Sequence, residues 1–342
     1  MKNNKKLSII VLVLITTFLC GCISSQVAKE VTDGIYVLYR DNGGRIRYYT
    51  KELEEVNDFE APEGWDLCSA KNGKVYMSNA GNSRTVGKSV DVLKDGVIIK
   101  NIKLKYDMPF NIKYNPYNDM VYVSHKYKIT YNEENCFSVI DTELDKEIEP
   151  IMYDEYVLDF SFSEDNYMFV SSQDVSDYQT QIDIIDLSDS SLEKRIVIDP
   201  PLDSIIYSEV TNLVYGVCQR SRERGLFVID WINESWEEIP LDFIDASQLE
   251  IGKKDNTKLY ILNSYRDDNN EGRLIAEFDL LTGKVEKKYD NLERVQDFIV
   301  NDNIIALGKT LDVIYKMDLE TNEMTKRDIP YPCSIVQEND TE

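Results

Sequence analysis

The chain has 342 residues, 42% hydrophobic and 11% aromatic, enough for one large packed domain or two. Its 62 acids against 38 lysines and arginines give a formal charge of -24. That balance argues against non-specific nucleic-acid binding, which needs a basic footprint, and against an electrostatic grip on anionic lipid.

The first stretch reads as an address. Lys2, Lys5 and Lys6 precede an apolar run, Leu7–Leu19, that is too short to cross a bilayer, so residues 1–21 are expected to be an export signal. The run ends Leu19-Cys20-Gly21-Cys22, which resembles a bacterial lipobox: a leucine three places before the cysteine and a small residue just before it. The resemblance implies cleavage before Cys22, a diacylglyceryl thioether on its sulfur, and an exported lipoprotein anchored at the cell surface or envelope. The alternative is ordinary secretion with an unmodified thiol. Residues 22–33 then form the lipidated N-terminus and a polar tether, and residues 34–342 a single folded domain. Cys68, Cys136, Cys218 and Cys333 fall in or beside strand patterns without C-x-x-C spacing. They are expected to be unbridged, with Cys68–Cys333 the foremost exception, and a zinc site is not expected.

From Gly34 onward one grammar is written seven times: a short inner strand, an Asn/Asp/Gly turn, an aromatic strand, a polar loop, and a hairpin opened by an acid. The aromatic strands align as Ile35–Leu38, Val75–Ser78, Val121–Ser124, Met168–Ser171, Val214–Val217, Leu259–Leu262 and Ile304–Leu307. Their spacing of roughly 40–47 residues is the period of propeller blades. Alternation and β-branched or aromatic enrichment mark strands, and no stretch offers a long amphipathic helix. Asp141, Asp186, Asp230, Asp279 and Asp318 open the hairpins, where a carboxylate accepts turn N–H groups, so they read as structural. The first copy lacks an inner strand, while Cys333–Gln337 still reads as one after the last copy has ended near Ile329. The expected fold is all-β: a seven-bladed β-propeller of four-stranded antiparallel blades, closed by the C-terminal strand pairing into blade one.

Met120–Pro150 resembles the YVTN-type β-propeller repeat, with its strand at Val121–Ser124 and its Val-Ile-Asp-Thr hairpin at Val139–Thr142. The likeness covers nearly the whole chain after the leader. It departs at blade seven, where the aromatic is gone, and at blade two, whose third strand ends Val92-Leu93-Lys94-Asp95-Gly96. Such propellers occur in surface-layer proteins, exported binding proteins and relatives of quinoprotein and lactonase folds, so the resemblance implies a fold and little function.

Residues for catalysis are sparse. His125 is the only histidine, which argues against a polyhistidine metal site and a Ser–His–Asp hydrolase, and it reads as a loop residue after its strand. There is no Asp-box and no D-x-D-x-D-G calcium loop, and Trp65, Trp231 and Trp236 are too few for quinoprotein blade docking. The long loops follow the second strands: Ala80–Lys88, Lys126–Asn135, Gln173–Gln181, Gln219–Gly225 and Ser264–Arg273. Bases follow the aromatic strands in six copies, as Arg40, Arg84, Lys126, Arg220, Arg266 and Lys309, and Arg222, Arg224, Arg45, Lys88, Lys128 and Arg273 thicken the set. The expected function is a binding or interaction module, without catalysis or a cofactor, whose long-loop face takes an anionic small ligand or an envelope protein. The alternative is a calcium-dependent hydrolase or lactonase with a carboxylate site in the central channel.

Overall fold

A computed structural model describes residues 33–338, apart from 42, 62, 83–84, 126–135, 175–178, 220–224, 244, 268–269 and 309–311; for 264–273 it describes backbone only. The strands form seven antiparallel sheets, and within each sheet consecutive strands lie side by side. Blade two shows the pattern: inner strand Gly64–Ser69, second strand Val75–Gly81, third strand Val86–Lys94 and outer strand Val97–Lys103. Its last hairpin turns through Asp95 and Gly96, both at positive φ (50° and 74°), the turn whose twist matches the strands it joins.

The acid-led hairpins form as the sequence predicts. Asp141 Oδ1 accepts the N–H groups of Glu143 and Leu144, both at 2.9 Å. Asp186, Asp230, Asp279 and Asp318 do the same in blades four to seven. These bonds hold the carboxyls of Asp230 and Asp318 below their usual value; for Asp186, also lowered, the Ser188 hydroxyl is the larger cause, and for Asp279, held at about 2, the Lys258 ammonium is.

Apolar side chains pack between blades rather than in one central core. Phe169, Ile184, Leu202, Ile205 and Phe227 fill the space between blades four and five, and comparable clusters join five of the other six neighbouring pairs. Lysines add a second tie by donating to turn carbonyls of the following blade. Lys100 reaches Leu144 at 2.9 Å, Lys194 reaches Ile232 at 3.2 Å, and Lys287 reaches Leu319 at 2.6 Å.

Closure occurs as expected, with Pro332–Gln337 pairing antiparallel to Ile35–Arg40 and standing as the inner strand of blade one. The residue after that strand, Glu338, makes the seam. Its buried carboxylate accepts the hydroxyls of Tyr36 (2.9 Å) and Tyr48 (2.8 Å) and the N–H groups of Gly34 and Asp95 (both 3.3 Å). The start of blade one's second strand, the residue after its inner strand and the outer turn of blade two thus meet on one carboxylate. Gly96 is required there, because a Cβ on it would lie 2.4 Å from the Tyr48 ring.

Several local expectations are corrected. Ser264–Arg273 is not a loop: Lys258–Asp267 and Asn270–Asp279 continue as a paired ladder through it. Most of Ala80–Lys88 likewise belongs to the strands Val75–Gly81 and Val86–Lys94. His125 ends the strand Met120–His125 and is buried instead of sitting in a loop. The outer strand of blade three is split into Lys146–Glu147 and Ile151–Met152, with Pro150, which has no N–H to give the ladder, in the gap. Cys68, Cys136, Cys218 and Cys333 form no disulfide, so the Cys68–Cys333 bridge is absent.

Removing one partner from a buried, charged hydrogen-bond hub leaves the others unsatisfied. Glu338→Ala is therefore expected to cost about 3 kcal/mol of stability in thermal or urea unfolding. Truncation before Cys333 should abolish cooperative unfolding altogether, and a truncated chain that melts like the full one would refute the closure.

Candidate functional site

The inner strands line a central channel, and each contributes one polar side chain to a belt around it. The strands are Gly64–Ser69, Pro109–Asn115, Tyr156–Phe162, Ser204–Ser208, Ala246–Ile251, Val295–Val300 and Pro332–Gln337, from blades two to seven and then one. Ile112 N–H donates to Asp66 Oδ2 (3.2 Å), Asn111 Nδ2 to the Leu158 carbonyl (2.9 Å), and Ile205 N–H to Asp159 Oδ2 (2.9 Å). Leu249 N–H donates to Ser204 Oγ (3.3 Å), Gln248 Nε2 to Asp297 Oδ1 (2.7 Å), and Ile335 N–H to Asp297 Oδ2 (3.0 Å). Ser334 Oγ closes the circle by donating to Asp66 Oδ1 (3.0 Å). Every step crosses from one blade to the next. In six of the seven inner strands the pairing register shifts beside the belt residue, a bulge that re-aims its side chain.

The belt sets the electrostatics of the channel. Burial, with Asp66 and Glu250 adding like charge, pushes Asp297 up to about 8 despite its bond from Gln248. Burial likewise raises Glu250 to about 7, against the pull of Lys113 and Lys253, and raises Asp66. Lys113 Nζ lies 2.7 Å from Asp159 Oδ1. These carboxyls are engaged by neighbours rather than converged on a common point, and among the described residues no group of three or more His, Cys, Asp or Glu could hold a metal ion.

On the long-loop face, residues just ahead of the belt form the channel mouth. Trp65 is 38% exposed, with its ring centroid 4.4 Å from that of Phe110. The guanidinium of Arg40, at the exposed end of blade one's second strand, lies 5.7 Å above the indole. Three blades thus build one shelf, a half-exposed aromatic pair under a cation. Gln296 Nε2 donates to the Cys333 carbonyl (3.0 Å) between the adjacent inner strands of blades seven and one, and Cys333 is half-buried there.

Of the six cations that follow the aromatic strands, Arg40 alone is placed with its side chain, and it is at the mouth. Arg84, Lys126, Arg220, Arg222, Arg224 and Lys309 lie outside the described residues, as do Lys128 and Cys22. Arg266 falls within the strand Lys258–Asp267, in the stretch described by backbone only, as does Arg273 in the next strand. Arg45 does not join the set, because its guanidinium is held by Asp58 at 2.8 Å and by the Tyr39 hydroxyl at 3.0 Å. Lys88 pairs with Asp107 at 3.0 Å. His125 is structural: Nδ1 lies 2.7 Å from the Asp107 carbonyl and Nε2 2.8 Å from Ser138 Oγ, itself 2.6 Å from Glu147 Oε1. Ser138 is fully buried, so this serine–histidine pair faces no substrate.

No protein-family model matches the chain, and no curated protein matches it either. Solved structures do. A functionally unknown protein from Desulfotomaculum acetoxidans superposes with a TM-score of 0.66 at 10% identity, covering 91% of this chain and 100% of the other. A Bacteroides fragilis protein provisionally named a 6-phosphogluconolactonase gives 0.64 at 13% identity, covering 91% and 99%. A chain of hydrazine synthase from Kuenenia stuttgartiensis gives 0.56 at 15% identity, covering 84% and 90%. At these identities the likeness is one of fold, a seven-bladed propeller.

The raised carboxyls make a pH prediction. Asp297 and Glu250 keep protons in the folded chain that the unfolded chain, at ordinary values of 3.8 and 4.5, has released. Their stabilisation is complete below those ordinary values and is lost as pH rises through about 7 and about 8. His125, pushed down to about 4 by burial, acts with the opposite sign but only below its ordinary 6.5. Stability should therefore fall between pH 6.5 and 8.5, by about 1 kcal/mol per pH unit for Asp297 alone. Asp297→Asn should flatten that slope in urea titrations, and an unchanged slope would show that Asp297 titrates normally.

Proposed function

We propose that the protein is an exported lipoprotein whose propeller is a binding module, with its ligand seated on the long-loop face at the channel mouth. The observation that supports this reading is the shelf of Trp65 and Phe110 beneath Arg40. A half-exposed aromatic pair offers a flat apolar surface, and a guanidinium above it offers a fork for carboxylate or phosphate. The ligand class that fits both is a small anionic molecule with a flat or saccharide body, such as an acidic sugar. In the sequence, Arg220, Arg222 and Arg224 supply further bases after the second strand of blade five.

The second reading, a calcium-dependent hydrolase or lactonase, draws on the carboxyls of Asp66, Asp159, Glu250 and Asp297 in the channel wall and on the likeness to the Bacteroides fragilis protein. It would require these groups to leave their belt partners and ionise around a cation.

Calorimetric titration with a panel of acidic saccharides and sugar phosphates, beside a calcium titration, separates the two. A salt-sensitive ligand whose affinity drops about tenfold or more in Arg40→Ala or Trp65→Ala, without a change in melting temperature, upholds the binding shelf. Stabilisation by calcium, reversed by a chelator, upholds the channel site instead. Neutralising Arg220, Arg222 and Arg224 together should weaken capture and its salt dependence. Cys22→Ala should abolish incorporation of labelled fatty acid and release the protein from the membrane fraction, and unchanged labelling would sink the anchor.

A further inference from the structure

We infer that the outer strand of blade two, Val97–Lys103, is a docking edge for an acidic, extended polypeptide segment that adds to the sheet as a fifth strand. The outer strand of any blade pairs with its own sheet on one side only, which leaves a row of backbone donors and acceptors on the other. The seven edges differ in what they add to that row. Six carry acids: Asp58 and its neighbours in blade one, Glu147, Glu193, Glu237, Glu286 and Asp328 in blades three to seven. Blade two's edge has none, reading Val97-Ile98-Ile99-Lys100-Asn101-Ile102-Lys103.

Three consecutive β-branched side chains stand open on it: Val97 is 47% exposed, Ile98 41% and Ile99 49%. Lys100 and Lys103 are exposed beside them. The surrounding blade reinforces the sign. Residues 64–103 hold seven lysines and arginines against three acids, an excess of bases that no other blade shares, in a chain of net charge -24. Lys71, Lys74 and Lys88 are paired with Asp119, Asp145 and Asp107, which leaves the edge lysines as the charge that faces a partner. An apolar run with basic residues on a sheet edge is complementary to a strand that alternates apolar and acidic residues. A second copy of this chain fits worse, because antiparallel pairing of two such edges would bring their lysines together. The neighbouring edge of blade three, interrupted at Pro150, offers no comparable length of ladder.

The test is fluorescence anisotropy of two labelled octapeptides against the full chain, one alternating valine with glutamate and the other valine with lysine. The acidic peptide should bind and the basic one should not. The double variant Lys100→Glu/Lys103→Glu should reverse that preference by about tenfold or more. Lys100 also donates to the Leu144 carbonyl of blade three. Lys103→Glu alone, at an unchanged melting temperature, should therefore weaken binding of the acidic peptide, which separates loss of the docking charge from loss of the blade tie. N-methylation of alternate peptide amides should abolish binding, because the ladder then loses its donors. Equal affinity for both peptides, binding of neither, or acidic-peptide binding unaffected by the double variant would overturn the proposal. So would vesicles containing phosphatidylglycerol that bind with the same dependence on Lys100 and Lys103 while the peptides do not, since the edge would then address lipid.

Discussion

One hydrogen-bonding side chain per inner strand holds this ring at its narrowest circle. A propeller has no covalent hoop, and its inner strands run beside one another without a shared ladder. The belt of Asp66, Asn111, Asp159, Ser204, Gln248, Asp297 and Ser334 replaces that ladder with side-chain bonds to the next blade. Bonds of this kind contribute about 1 kcal/mol each, and more where a carboxylate accepts. Seven of them are comparable with the whole net stability of a domain, roughly 5–15 kcal/mol. The circle also explains why the last strand matters out of proportion to its length. Ser334 and Ile335 supply two of the seven steps, so losing that strand opens the belt on both sides of blade one.

The same economy runs through the charged residues. A chain this acidic looks, as a composition, like a surface kept soluble by repulsion. In the fold, many of its carboxylates satisfy backbone N–H groups: the five hairpin aspartates in outer turns, three aspartates in the belt, and Glu338 at the seam. Lysines do the converse for turn carbonyls of adjacent blades. Buried acceptors are expensive to strand and modest in net gain when paired, so this distribution fixes geometry more than it adds stability. It also ties up channel carboxyls such as Asp297, which burial pushes up to about 8.

Much of this was legible in the sequence, for a physical reason. Strand alternation, turn chemistry and a 40-odd-residue period are local, and each recurs seven times, so blade count, hairpin aspartates and the closing strand could all be read directly. The belt left a signal too, a polar residue followed by a large apolar one, as in Asp66-Leu67, Asn111-Ile112, Asp159-Phe160, Ser204-Ile205, Gln248-Leu249, Asp297-Phe298 and Ser334-Ile335. It is easily passed over because its members differ chemically and share only a role. Loop boundaries were less legible. The polar stretch Ser264–Arg273 has loop composition, yet its backbone extends the hairpin. Charge lists misled in the same way, since Arg45 is spent on Asp58 rather than offered to a ligand.

Function in such a fold is to be sought where the repeat breaks, because whatever all seven blades share is already accounted for by closure and packing. At the position just before the belt, blades four to seven and one carry Leu158, Asp203, Ser247, Gln296 and Cys333, whereas blades two and three carry Trp65 and Phe110. Large half-exposed aromatics there add nothing the ring needs, and with Arg40 they make the mouth lopsided. Blade two also breaks the rule of acidic outer edges. Both exceptions fall on one blade but on different parts of it, the channel end of its first strand and the rim of its last. A ligand in the mouth and a strand on the rim could therefore be held at once without competing for residues. The rigid blade between them, packed on blade three through Tyr76, Val92 and Ile102, is the path by which either could bias the other.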